Sequence, residues 1–122
     1  MDNPKLVAKF ILDQEGKPKI IERNGKRHYY LHLGVEAPPP GTYAVTYKLD
    51  ESYYNPIRES RDIDKNFSEE LTSFGDYQIQ ADIRTKERVE PILANLSQAL
   101  YRSYQEELTP DIEAAIQDIE KH

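Results

Sequence analysis

The clearest period in this chain is two. Tyr77, Ile79, Ala81 and Ile83 alternate with Asp76, Gln78, Gln80 and Asp82, and successive side chains of a strand point to opposite faces. A segment of this kind buries one face and wets the other, so it commits the chain to sheet structure with a covered side. Tyr43, Val45, Tyr47 and Leu49 repeat the pattern against Thr42, Ala44, Thr46 and Lys48. Each of these strands adjoins an aromatic loop with a small hydroxyl residue. Ser52-Tyr53-Tyr54 follows the first, and Ser73-Phe74-Gly75 precedes the second. A β-sandwich builds a narrow aromatic slot at one end in this way. The slot reads as a binding site, because nothing in it forms a catalytic set.

Strand signals continue toward the N-terminus. Residues 5–12 read as a strand and 13–16 as a turn. Residues 19–23 form a second strand, and Asn24-Gly25 marks a hairpin, since both residue types tolerate the positive φ of a type I′ turn. The return strand spans 26–35, with Tyr29, Leu31 and Leu33 placed inward and His28, Tyr30 and His32 outward. Pro38-Pro39-Pro40-Gly41 has no place in a central strand and is a loop. Residues 51–73 make a polar connection long enough to have a task or to hide a short strand, for which Asn66-Phe67-Ser68 is the candidate.

At Lys86 the expected period becomes helical. Val89, Ile92, Leu93, Leu96, Leu100 and Tyr104 fall on one stripe, with Pro91 in the first turn. Thr109-Pro110 reads as an N-cap followed by the first helical residue, and Asp111 and Glu113 add favourable charge there. Ile112, Ala115, Ile116 and Ile119 form a second stripe. The expected organisation is therefore a β-sandwich over residues 1–85 and a C-terminal helical hairpin over 86–122. The two stripes need a surface to cover them. The sandwich is one option, and a second copy of the chain is another.

Composition narrows the functions. The chain has 122 residues, a length that suits one domain with its own core. It has no cysteine, which rules out disulfides, thiolate metal sites and cysteine nucleophiles, and makes a cytoplasmic address the default. No apolar run is long enough to span a bilayer. The polar start Met1-Asp2-Asn3-Pro4 does not resemble a signal peptide. A net charge of −6 opposes nucleic-acid wrapping and suits a basic partner, or serves only solubility. Residues 86–122 hold four Lys or Arg against eight Asp or Glu, so the negative excess lies mainly there.

No catalytic motif, cofactor motif or metal spacing is present. His28 and His32 lack a third ligand at a zinc spacing. His122, at the last position, is expected to fray. Asp62 and Asp64 lack the calcium-loop pattern, and Ser52 has no base beside it. The aromatic loops are what remain. Tyr53, Tyr54, Phe74 and Tyr77 offer flat faces for an acyl group, an amide or a cation. Ser52 and the backbone around Gly75 offer hydrogen bonds, and Gly75 permits close approach. Core packing is the competing reading, evenly matched for Tyr77 and weaker for Phe74.

These residues resemble the YEATS domain family. Its V-x-F-x-L-H-x-S-[FY] segment corresponds to Val45-Thr46-Tyr47-Lys48-Leu49-Asp50-Glu51-Ser52-Tyr53. Its P-x-R loop corresponds to Pro56-Ile57-Arg58, and its G-[WY]-[GA]-x-F turn to Ser73-Phe74-Gly75-Asp76-Tyr77. His28-Tyr29-Tyr30-Leu31 looks like a degenerate form of the family's H-x-W strand. The likeness spans roughly residues 26–85 in order, and the short chain with its helical tail suggests a prokaryotic relative. It implies an immunoglobulin-like β-sandwich and a slot for an acylated lysine. Ser52 would bond the amide, Tyr53 and Phe74 would sandwich the acyl group, and Tyr77 would support it from below. Asp50 stands where the family has His, which favours a cation over a neutral group. Ser73 stands where the family has Gly. The expectation is a non-catalytic module that binds a modified-lysine protein or peptide, with no cofactor, metal, nucleic acid or membrane. The alternative is an assembly protein whose helices dimerise or dock a partner.

Overall fold

The computed structural model describes residues 3–122. β1 (Lys5–Phe10), β2 (Ile20–Arg23) and β3 (Lys26–Glu36) form most of one antiparallel sheet, and β6 (Glu69–Ser73) completes it on the free side of β3. β5 (Ile57–Ser60), β4 (Ala44–Lys48), β7 (Gln78–Arg84) and β8 (Val89–Asn95) lie side by side in that order in the second sheet. One core joins the two: Leu6, Ala8, Phe10, Leu31 and Leu33 of the first sheet meet Val45, Tyr47, Ile79, Ala81 and Ile83 of the second. The chain is a β-sandwich followed by two helices, α1 (Leu96–Tyr104) and α2 (Pro110–Glu120).

Local chemistry accounts for the frame. Asn24 and Gly25 have φ of 53° and 76°, as a type I′ turn requires, and the register Arg23↔Lys26 follows. Tyr29, Leu31 and Leu33 of β3 are buried as their alternation predicts. β4 is central, and four successive residues from Ala44 to Tyr47 are buried. Tyr43 lies just before it and is 44% exposed, with the Arg61 guanidinium 5.6 Å from its ring centre.

The long polar connection is more structured than its composition suggests. β5 and β6 both lie within it, with a short 3₁₀ turn at Ile63–Lys65 between them. The expected strand at Asn66-Phe67-Ser68 is a turn instead, since Asn66 and Phe67 have φ of 55° and 54°. A tertiary anchor overrides the local signal. The Phe67 side chain is buried, and its carbonyl accepts the Tyr47 hydroxyl at 2.6 Å.

The expected change to helix at Lys86 is displaced. Residues 89–95 are β8, paired along β7 from Val89↔Arg84 to Asn95↔Gln78, so the β part runs ten residues past 85, to Asn95. Spacing at 89, 92, 93 and 96 fits the helical period, but on the strand Val89 and Leu93 face outward while Ile92 and Ala94 turn toward the core. Pro91 is tolerated because β8 is an edge strand, and Leu93, in phase with the helical stripe, is 59% exposed. α1 begins at Leu96, where Asn95 Oδ1 accepts the Gln98 N–H at 3.2 Å. α2 starts as expected, with Thr109 Oγ1 accepting the Ile112 N–H at 3.3 Å and Pro110 at the first position.

The parts of both stripes that lie on α1 and α2 are covered by the chain itself, while Val89 and Leu93 of the first stripe are exposed on β8. Leu96, Leu100, Ile112, Ala115, Ile116 and Ile119 belong to the sandwich core. Each fully buried Leu or Ile contributes about 1.5–3 kcal/mol of burial free energy. Polar contacts fix the docking. The Tyr104 hydroxyl accepts the Phe10 N–H at 2.9 Å, and the Tyr29 hydroxyl donates to Asp118 Oδ2 at 2.6 Å. Burial, then Asp118, push the Tyr29 phenol up to about 12. These faces are not free to pair with a second copy.

Candidate functional site

Two turns frame a cleft. Leaving β4, the chain closes a loop in which the Leu49 N–H bonds the Pro56 carbonyl at 2.7 Å. Within it Asp50 Oδ1 accepts the Ser52 N–H at 2.9 Å, and the Tyr53 N–H reaches the Asp50 carbonyl at 3.2 Å. The Ser52 N–H and hydroxyl hold the Asp50 carboxyl below its usual range. Asp50, expected as a pocket-wall charge, is thus committed to shaping its own turn.

The second turn leads from β6 into β7. The buried Ser73 hydroxyl donates to the Gly75 carbonyl at 2.7 Å, and its oxygen lies 3.3 Å from the Gly75 N–H. Serine at this position therefore braces the turn rather than crowding it. Asp76 accepts the Ser97 N–H at 3.0 Å and the Ser97 hydroxyl at 2.7 Å. A carboxylate at the start of α1 is favoured by the unpaired N–H groups there, and it ties this turn to the helix.

Asp50, Ser52, Tyr53, Phe74, Gly75 and Tyr77 all line one cleft of about 410 Å³. Tyr53 and Tyr77 make one wall. Their ring centres are 5.7 Å apart, the Tyr77 hydroxyl donates to that of Tyr53 at 3.0 Å, and Tyr53 donates to the Thr72 carbonyl at 2.6 Å. Burial raises both phenol pKa values. Arg58 backs this wall, its guanidinium 5.8 Å from the Tyr53 ring centre and bonded to the Asn55 and Glu70 carbonyls at 3.1 and 3.0 Å. Tyr54 points away from packing and is 97% exposed.

Phe74 carries the opposite wall. His28 lies 5.1 Å away, ring centre to ring centre, and the Lys26 ammonium sits 4.4 Å from the Phe74 ring centre. Burial, then Arg23 and Lys26, lower the His28 pKa below 6.5. Arg23 and His28, from the β2–β3 hairpin, also line the cleft. In the sequence His28 reads as a histidine without a zinc spacing and as the first residue of the degenerate H-x-W strand. Its outward place on the return strand was legible, but its position beside Phe74 was not.

His122 is not frayed. Its Nδ1 bonds the Asp118 carbonyl at 2.9 Å, its ring is 6.5 Å from that of Phe74, and it lines the cleft. A Cβ added at Gly75 would lie 3.1 Å from the His122 carbonyl carbon. The close approach that glycine permits is therefore made by the chain after α2. No sequence signal could have announced this contact across 47 positions. Among the described residues, no three His, Asp or Glu side chains converge as a metal-binding set. Nor is any described helix long and apolar enough to cross a membrane.

An antiparallel sandwich with an open cleft between two aromatic turns defines a binding-module architecture. The family model for the prokaryotic YEATS domain matches residues 29–94, more than half of the chain, and the chain belongs to that family. Among solved structures it is similar to the Yaf9 YEATS domain, described as recognising an H3K122suc peptide. That likeness has a TM-score of 0.53 at 17% identity and covers 79% of this chain and 76% of that one. It is a likeness of fold. No curated protein matches the chain in sequence.

Proposed function

We propose that this chain is a non-catalytic reader whose cleft takes the acylated side chain of a lysine in a partner protein. The observation that carries the reading is the meeting of the Ser52-Tyr53 and Phe74-Gly75 turns around one open cleft. Aromatic walls suit a flat acyl-amide by dispersion and π contact. The Ser52 hydroxyl, on an exposed turn, donates to Asp50, and its oxygen is the side-chain acceptor for the N–H of the amide. The charge arrangement favours a neutral amide over a methylated amine. Lys26 already covers Phe74, and Arg23 adds a second cation to the rim, while His28, with its pKa lowered, offers a neutral ring near pH 7. Asp50, the carboxylate that would attract a cation, stays charged, but its Oδ1 is turned to the Ser52 N–H of its own turn, and Lys26 and Arg23 stand as cations at the same cleft. The proposal includes a cytoplasmic setting, in keeping with a cysteine-free chain.

The test is an NMR titration with matched acetyl-lysine, longer acyl-lysine and trimethyl-lysine peptides. An acyl peptide should shift the Ser52 and Gly75 amides, and the trimethyl peptide should not. Preference for the trimethyl peptide, or acyl-dependent shifts confined to other surfaces, would overturn the reading. Assembly through the helices is not favoured, because their apolar stripes are buried within the chain.

A further inference from the structure

We propose that a second groove, on the outer face of the first sheet, binds carboxylate side chains of an acidic segment in the same polypeptide ligand. The link to one ligand rests on the reader function proposed for the cleft. The groove has a volume of about 500 Å³ and lies between β1, β3, the turn after residue 65, and α1.

Its hollow arises from one missing side chain. Outward positions on β3 alternate His28, Tyr30, His32 and Gly34, and Gly34 pairs with Val7. A Cβ there would meet only the Asn66 carbonyl oxygen, at an ordinary 3.9 Å. The backbone gives no reason for glycine at this place, since its φ is not in the left-handed region. Open space above the strand is what glycine supplies.

The hollow is ringed by cations. Lys9, Lys65 and Arg102 line it, and Glu36 is the only carboxylate among its lining residues. Neither Lys9 nor Lys65 forms an ion pair with a described residue. Arg102 donates to the Leu6 carbonyl, a neutral acceptor that leaves its charge uncompensated. In a chain of net charge −6 this is a local reversal of sign, and it attracts an anionic group. The turn that presents Lys65 is also held against local preference. Asn66 and Phe67 are both left-handed, at about 1–3 kcal/mol each, and are kept so by the buried Phe67 ring and its bond from Tyr47.

Geometry ties the groove to the cleft. His28 borders the cleft, while His32 and Gly34 border the groove, all on the same face of β3. Six residues of strand separate His28 from Gly34, about 20 Å at roughly 3.3 Å per residue. An extended peptide with its modified lysine in the cleft reaches the groove about six residues away. Between the two sites the track carries both signs of charge, with Lys19 5.2 Å from the Tyr30 ring centre and Glu70 opposite His32, so a carboxylate meets several cations together only at the groove.

Three peptides test this by NMR at low salt: an unmodified glutamate-rich peptide, an acylated peptide with neutral flanks, and an acylated peptide with glutamates about six residues from the lysine. The glutamate-rich peptide should shift the Gly34 and Asn66 amides. The combined peptide should bind five- to tenfold tighter than the neutral one, through two exposed ion pairs, and the gain should shrink with salt. Lys9→Glu with Lys65→Glu should abolish the gain and leave the neutral peptide's affinity unchanged. Gly34→Leu, which fills the hollow without altering charge, should do the same. Gly34 and Asn66 amides that ignore the glutamate-rich peptide, or a gain that survives both variants, would overturn the proposal. If the acylated neutral peptide leaves Ser52 and Gly75 unmoved while the glutamate-rich peptide shifts Gly34, the reader function fails and the groove's affinity for carboxylates stands.

Discussion

Tyr53 and Tyr77 hold one side of the cleft by hydrogen bonds, while Phe74 and His28 hold the other by ring contacts and a lysine ammonium. The tyrosine wall is a closed chain running from the Tyr77 hydroxyl through Tyr53 to the Thr72 carbonyl, backed by Arg58. Its members pack against the sandwich core. On the Phe74 side, side-chain hydrogen bonds brace the turn, through Ser73, and hold His122 to Asp118, but none joins the Phe74 ring to its neighbours. That ring rests against His28, Lys26 and His122, each contact worth about 1 kcal/mol or less. One wall is therefore part of the fold's stability, and the other can adjust around a guest.

That contrast can be broken by mutation. Replacing Tyr77 with Ala should cost most, about 3 kcal/mol of stability, as for other aromatic truncations against a core. The urea midpoint reads it, and a loss near zero would remove Tyr77 from the supporting wall. Phe74→Ala should leave stability within about 1 kcal/mol and weaken acyl-peptide binding at least tenfold, the size expected of a central aromatic anchor. Calorimetry beside urea unfolding separates the two, and a collapsed fold would assign Phe74 to the core instead. Tyr53→Phe keeps the ring but removes the hydroxyl that joins Tyr77 to Thr72. About 1 kcal/mol should be lost, with little change in how an acyl group is gripped.

The walls should also respond to opposite ends of the pH scale, with the smallest effects. Burial raises the Tyr53 and Tyr77 phenols above 10.0, so the fold favours their neutral forms. Their contribution is complete below that value and is lost as pH rises past it. Tyr53→Phe should remove part of this alkaline loss. The His28 pKa lies below 6.5, so the unfolded chain takes up that proton first. Stability falls as pH drops below 6.5, and His28→Gln should flatten the slope between about pH 5 and 7. Urea midpoints across pH check both, and a steeper acid slope in His28→Gln would contradict the assigned direction.

Legibility followed the range of the forces. The Asn24-Gly25 hairpin, the buried face of β3, the alternation of β7 and the Thr109-Pro110 helix start each depend on residues within one turn or one strand, and each stands in the structure. β5 and β6 escaped notice because their short runs, Ile57–Ser60 and Glu69–Ser73, alternate too little to stand out. The apolar residues from Val89 to Leu96 carry a helical period, and pairing with β7 overrides it, leaving Val89 and Leu93 on the outer face of an edge strand. The aromatic residues of the site were visible from their places beside two strands. Lys26 over Phe74, His122 against Gly75 and Asp76 at the start of α1 were not.

By itself, then, the sequence determined which faces must be buried, where the main turns fall and which residues flank the two aromatic loops, because side-chain period and turn chemistry act between near neighbours. Tertiary structure alone decided that these loops share one cleft, that hydrogen bonds join the rings of one wall and ring contacts those of the other, and that His122, just after α2, lies against Gly75. Those outcomes depend on sheet pairing and helix docking between segments far apart in the chain, where burial of a common core outweighs local preference.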